Sequence, residues 1–125
     1  MPEDRPAYKG SPVVGYLRTA RLDDQRIDSW EVKMRNFASA WGYNLTDIRR
    51  DVGRSGASVW KPELEKVISC LTKGRYVGAI ILSCQHLGVT PSQQRRVVAR
   101  AAKVGAWISC IACDEGCERE PSGVA

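Results

Sequence analysis

Long apolar runs are missing from this sequence. No segment approaches the roughly 20 apolar residues that a membrane-crossing helix needs, so no membrane partner is expected. Histidine is nearly absent too. His86 is the only one, in a segment with no evident carboxylate beside it, so neither a general base nor a metal ligand is expected there. Acid is outnumbered, with 14 Asp and Glu against 19 Lys and Arg, a net charge of +5. That excess permits an anionic partner such as nucleic acid without demanding one. Internal repeats and low-complexity stretches are lacking. The first 12 residues are polar and carry Pro2, Pro6 and Pro12, which fits neither a secretory nor a transit leader and leaves a cytoplasmic location as the expectation. Five cysteines, an odd number scattered along the chain, make a poor disulfide framework and are expected as free thiols.

What is present suffices for one core. The chain has 125 residues, 43% hydrophobic and 26% charged, within the range of a single globular domain. Residues 1–12 are expected as an irregular lead-in, 13–112 as an α/β domain and 113–125 as a flexible tail. Val13-Val14-Gly15-Tyr16-Leu17 begins with β-branched residues and then breaks into polar, Asp-rich chain, the pattern of a central parallel strand. Asp28 with Glu31 resembles a capping box, and Trp30, Met34, Phe37 and Trp41 fall at helical spacing before Gly42. Tyr43, Leu45 and Ile48 suggest a half-buried strand. Arg49 to Val59 has no apolar pattern and reads as a loop. Pro62 opens a helix whose Leu64, Val67, Ile68 and Leu71 repeat at i, i+3, i+4 and i+7, closed by Gly74. Val77 to Leu82 is a strand buried on both faces. Thr90-Pro91 starts a helix running to Val104, with Val97, Val98, Ala101 and Ala102 inward. Trp107, Ile108 and Ile111 form the last strand. Strands alternating with helices imply a parallel sheet with helices on both faces, whose carboxyl edge collects ligands.

Several spacings together resemble the N-terminal catalytic domain of the serine recombinases, the resolvases and DNA invertases. That family's first strand ends in Tyr-x-Arg-x-Ser, against Tyr16-Leu17-Arg18-Thr19-Ala20 here. Its Asp-x-Gly-x-Ser-Gly loop is matched by Asp51-Val52-Gly53-Arg54-Ser55-Gly56, and the basic residue before its next helix by Lys61-Pro62-Glu63-Leu64. After the third strand the family has Asp-Arg-Leu-x-Arg; this chain has Gln85-His86-Leu87-Gly88-Val89. The resemblance spans roughly Val13 to Ala112. It implies a single three-layer α/β domain with a mainly parallel four-stranded sheet in the flavodoxin-like order 2-1-3-4.

The departures bear on activity. In the family a serine hydroxyl attacks a DNA phosphodiester, and arginines hold the charge that builds on the phosphate. At the matching positions Ala20 carries no hydroxyl, Gln85, His86 and Val89 replace the Asp-Arg…Arg set, and Lys61 lacks the bidentate fork of arginine. Arg18 alone is kept. Thr19, next to Ala20, and the more distant Ser55 and Ser83 come without the set of arginines that surrounds the family's serine, so no catalytic residue is assigned. Arg18, Lys61, Arg54 and Ser55 remain candidates for holding an anion, with an Arg18 pairing to Asp51 or Asp23 as the structural alternative. Arg95, Arg96, Arg100 and Lys103 could touch nucleic-acid phosphates or simply form a solvated helix face. Cys110, Cys113 and Cys117, with Cys84 as a conceivable neighbour, lack the two clean ligand pairs of a structural zinc site. No metal and no cofactor are expected. Beyond Ile111 the sequence shows neither a heptad helix nor a helix-turn-helix, the parts with which the family pairs subunits and grips DNA.

These readings converge on a catalytically inactive, resolvase-like domain acting through a protein partner or self-association, in a recombination or regulatory setting. A small DNA- or nucleotide-binding module using Arg18, Lys61 and the basic helix 91–104 is the alternative. An active recombinase with a displaced nucleophile comes third.

Overall fold

The computed structural model describes residues 10–53 and 61–114. Four strands, β1 (Pro12–Thr19), β2 (Asn44–Val52), β3 (Gly78–Ile81) and β4 (Trp107–Cys110), form one all-parallel sheet in the order β2-β1-β3-β4. Helices α1 (Asp24–Trp41), α2 (Pro62–Thr72) and α3 (Pro91–Ala102) connect them, and a short α4 (Ile111–Asp114) follows β4. This is the expected α/β architecture and strand order. β1 starts at Pro12 and α4 spans Ile111–Asp114.

Each face of the sheet buries its own core. Val14, Tyr16, Ala79 and Ile81 pack beneath α2 and α3, against Leu64, Val67, Ile68, Leu71, Val97 and Ala101. Val13, Leu17 and Ile80 pack on the other face against Ile27, Met34 and Ala38 of α1. β1 sits between β2 and β3, and Val13, Val14, Tyr16 and Leu17 are fully buried. A Cβ at Gly15 would lie 2.9 Å from Met34 Sδ and 3.1 Å from Ile48 Cγ1, so a larger residue there would push the Met34 thioether aside.

α1 begins earlier than its sequence suggests. Asp23, not Asp28, is the N-cap, its side chain accepting from Arg26 N at 3.0 Å. The buried stripe is accordingly Ile27, Glu31, Met34 and Ala38, with Trp30, Phe37 and Trp41 half-buried along its flank. Gly42, at φ 79°, closes the helix as expected.

β2 runs on through Val52, where the sequence suggested a loop. A register shift opposite Val13/Val14 inserts one extra residue, so Leu45 and Ile48, three apart, both join the α1-side core. Beyond it the charges on β2 alternate between the faces. Arg50 Nε donates to Glu31 of α1 at 2.6 Å, while Arg49 pairs with Glu63 of α2 at 3.2 Å. Charged residues therefore satisfy a strand pattern at this sheet edge.

The remaining helices start as their sequences indicate. Thr90 and Gln93 make a reciprocal capping box on α3, and Arg100 grips Glu65 of α2 with two bonds of 2.9 and 3.0 Å. α3 ends at Ala102, short of Val104, and Ala102 faces solvent rather than the core. Ile111 belongs to α4 rather than to β4.

Candidate functional site

The carboxyl ends of β1 and β3 meet beside α1, and a cleft of about 480 Å³ opens there. Arg18, Thr19 and Ala20 bring its first wall from the end of β1. Arg26, Trp30 and Lys33 bring the second, spaced four and three apart along one side of α1. Leu82, Ser83, Gln85 and His86 follow β3, while Ile111 and Ala112 close the base. The cleft thus collects Arg18, Ala20, Gln85 and His86 from the candidate positions. Arg26, Trp30 and Lys33 are functional candidates that the sequence reading missed, although their helical spacing was visible.

Ala20 is exposed immediately after β1. The neighbouring hydroxyl is not presented for attack: Thr19 is buried, its Oγ1 donating to Arg21 O at 2.9 Å and facing Arg21 N at 3.3 Å. Among the described residues, Ser83 is the other hydroxyl-bearing side chain lining the cleft.

His86 lies in a 3-10 turn (Cys84–His86) and is buried. Its Nδ1 accepts from the backbone N–H of Arg18 at 2.9 Å, tying the end of β3 to the end of β1. Trp30 packs against the ring edge-on, with centroids 5.0 Å apart. Burial, reinforced by the Arg18 cation, pushes the imidazole down to about 4. The neutral ring that accepts at Nδ1 carries its proton on Nε2, so it has no lone pair to offer Ser83. His86 is a clasp between these two strand ends.

Arg18 sends Nη2 to the carbonyl of Gln85 at 3.4 Å, which holds the guanidinium at the rim. Asp51, opposite Arg18 in the β1–β2 register, is buried and accepts three bonds. Tyr16 Oη donates at 2.8 Å, and the N–H groups of Glu63 and Leu64 at 3.1 Å each. Lys61, at the start of α2, has no capping side chain, so the Asp51 carboxylate from β2 caps that helix instead. Burial and the hydroxyl's contact with this anion push the Tyr16 phenol far up.

Lys61 is 7% exposed. Burial first, then Arg18, lowers its ammonium pKa, while Asp51 opposes them. It belongs to the same charged group as Arg18 without reaching the cleft wall. Val89 is exposed beyond the 3-10 turn, its N–H donating to Gln93 Oε1 at 2.8 Å. Arg54 and Ser55 lie outside the described residues. Gly53, just before them, donates its N–H to Thr19 O at 2.9 Å, so the chain enters that segment beside the end of β1.

Arg95 and Arg96 on α3, and Lys103 just past its end, are exposed and absent from the cleft lining, while Arg100 is engaged by Glu65. Cys110 Sγ reaches the carbonyl of Leu82 at 3.7 Å within the core. Among the described residues no three His, Cys, Asp or Glu side chains converge as metal ligands. The thiols of Cys113 and Cys117 lie outside what is described.

No protein-family model matches this sequence, and no curated protein does. Solved structures do. The C-terminal catalytic domain of ISC1926 TnpA, an IS607-like serine recombinase, superposes with a TM-score of 0.73 at 18% identity, over 80% of this chain and 67% of that one. The N-terminal catalytic domain of TP901-1 integrase gives 0.75 at 18% identity, over 81% and 78%. A resolvase family site-specific recombinase from Streptococcus pneumoniae gives 0.70 at 14% identity, over 82% and 73%. At these identities the likeness is one of architecture, and it agrees with the strand order and the helix placement. The chain has the fold of a serine recombinase catalytic domain.

Proposed function

We propose that this chain is a non-catalytic relative of the serine recombinase catalytic domain. It acts by protein contact, with a second copy or a larger recombinase or regulator, in DNA recombination or its control, in the cytoplasm. The observation that carries this reading is Ala20, exposed just after β1, at the position that the motif resemblance sets against the attacking serine of the family. Three further features support it. The Thr19 hydroxyl is tied to Arg21, His86 has its Nδ1 lone pair engaged, and Gln85 and Val89 supply no cation. A developing phosphorane needs both a nucleophile and donors aimed at its oxygens.

Trapping on a DNA substrate that cannot religate, followed by denaturing electrophoresis, is the direct test. No covalent protein–DNA product is expected. An adduct, with Ser83 the hydroxyl to map first, would overturn the reading. Sedimentation of the purified chain, alone and with a recombinase of this fold, tests the contact half: a stable complex supports it, and monomers throughout oppose it.

A second reading, nucleic-acid contact through α3, is favoured by one observation. Arg95, Arg96 and Lys103 are exposed together on its outer surface, in reach of a phosphate backbone.

A further inference from the structure

We propose that the cleft at the carboxyl edge of the sheet binds a free mononucleotide, its phosphate held by Arg18, Arg26 and Lys33 and its base beside Trp30. The inference rests on the cleft alone, and its failure would leave the protein-contact reading untouched.

Charge is the first argument. Three cations from two elements, β1 and α1, line the cleft, and among the described residues no carboxylate does. A concave wall of one sign concentrates potential for the opposite sign. Arg26 has Asp23 as a neighbour at 3.8 Å, but both side chains are about half exposed, at 58% and 46%, and water screens them. Arg18 is fixed at the rim by the Gln85 carbonyl, so part of the site is already ordered.

Size and surface are the second. About 480 Å³ falls among small-ligand pockets. Leu82, Ile111 and Ala112 give an apolar floor, and the half-buried indole of Trp30 stands beside it. The Arg26 guanidinium lies 5.7 Å from the centre of that ring, so one cation is placed next to a flat aromatic surface. Phosphate set against an apolar plane is the chemistry of a nucleotide. A terminal phosphate monoester carries about −1.5 to −2 at neutral pH, against −1 for each phosphodiester of a strand, and so answers a cleft lined by three cations better than a polymer does.

The test titrates the full chain with adenosine monophosphate, by calorimetry and tryptophan fluorescence. Inorganic phosphate, adenosine and a single-stranded oligonucleotide form separate arms. Saturable one-to-one binding of the monophosphate is expected, about tenfold or more tighter than phosphate or adenosine alone. Arg26→Gln combined with Lys33→Gln, both at exposed positions, should weaken it by about tenfold or more. Lys73→Gln with Arg75→Gln, both exposed and outside the cleft lining, should leave it unchanged. No saturable binding, equal affinity for bare phosphate, indifference to the Arg26/Lys33 pair, or tighter binding of the oligonucleotide would each overturn the proposal.

Discussion

His86 makes this fold sensitive to acid. Its imidazole gains a proton near pH 6.5 when free and only at about 4 when folded, so between those values the unfolded chain binds the extra proton. Stability is therefore full above roughly pH 6.5 and falls as the pH drops towards 4, by about 3 kcal/mol from this group. Urea unfolding across that range should show the slope. His86→Asn, which keeps an acceptor near the Nδ1 position but nothing to titrate, should flatten it; an unchanged slope in the variant would assign the acid loss elsewhere. Asp51 is the second residue on which much depends. Asp51→Ala leaves the Tyr16 hydroxyl and two helix N–H groups without their acceptor, and should cost about 3 kcal/mol or more. Tyr16→Phe leaves the carboxylate its two backbone donors and should cost only about 1 kcal/mol. Equal losses in the two variants, measured by denaturant midpoint, would contradict the cap.

Edge strand β4 depends on one close approach. The Trp107 indole lies flat over Gly78, where any Cβ would overlap it, and Tyr43 continues the aromatic contact at 5.1 Å. Gly78→Ala should destabilise by about 1–3 kcal/mol through overpacking. Adding Trp107→Leu should recover part of that loss, so thermal melts of the double variant should fall short of the summed single effects. The elements differ in how plainly the sequence announced them. α2 and α3 were legible because apolar spacing, first-turn prolines and, for α3, the Thr90 cap all agree. β1 and β3 were legible as apolar runs. β2 was cut short because Arg49 and Arg50 look solvent-bound until Glu63 and Glu31 are placed across from them, a matter of tertiary pairing. The start of α1 was misplaced because Asp23 and Asp28 offer similar caps, and only packing against the sheet selects Asp23. The cleft was half legible. Arg18, Ala20, Gln85 and His86 come from motifs at strand ends, whereas Arg26, Trp30 and Lys33 join them only because α1 crosses that edge of the sheet.

For the whole molecule, a missing catalytic group is not a single-residue matter. Ala20→Ser would restore an oxygen where β1 ends, but Gln85, His86 and Val89 would still offer no cationic cage. The expected outcome is no covalent adduct on a trapping substrate, and an adduct would show that the remaining cations suffice. Net charge of +5 gives a weak general attraction for polyanions. If α3 is the contact surface, Arg95, Arg96 and Lys103 together should give a slope of about −2.7 for log affinity against log salt, and their triple replacement by Gln should largely abolish it. The Asp51 carboxylate has a kinetic corollary. Since the first turn of α2 takes its acceptor from a strand 12 residues upstream, that turn has no stable existence before β2 is laid beside β1. The Glu63 and Leu64 amides should consequently exchange with deuterium as slowly as the central strand itself, with none of the fraying that loosens an ordinary helix end.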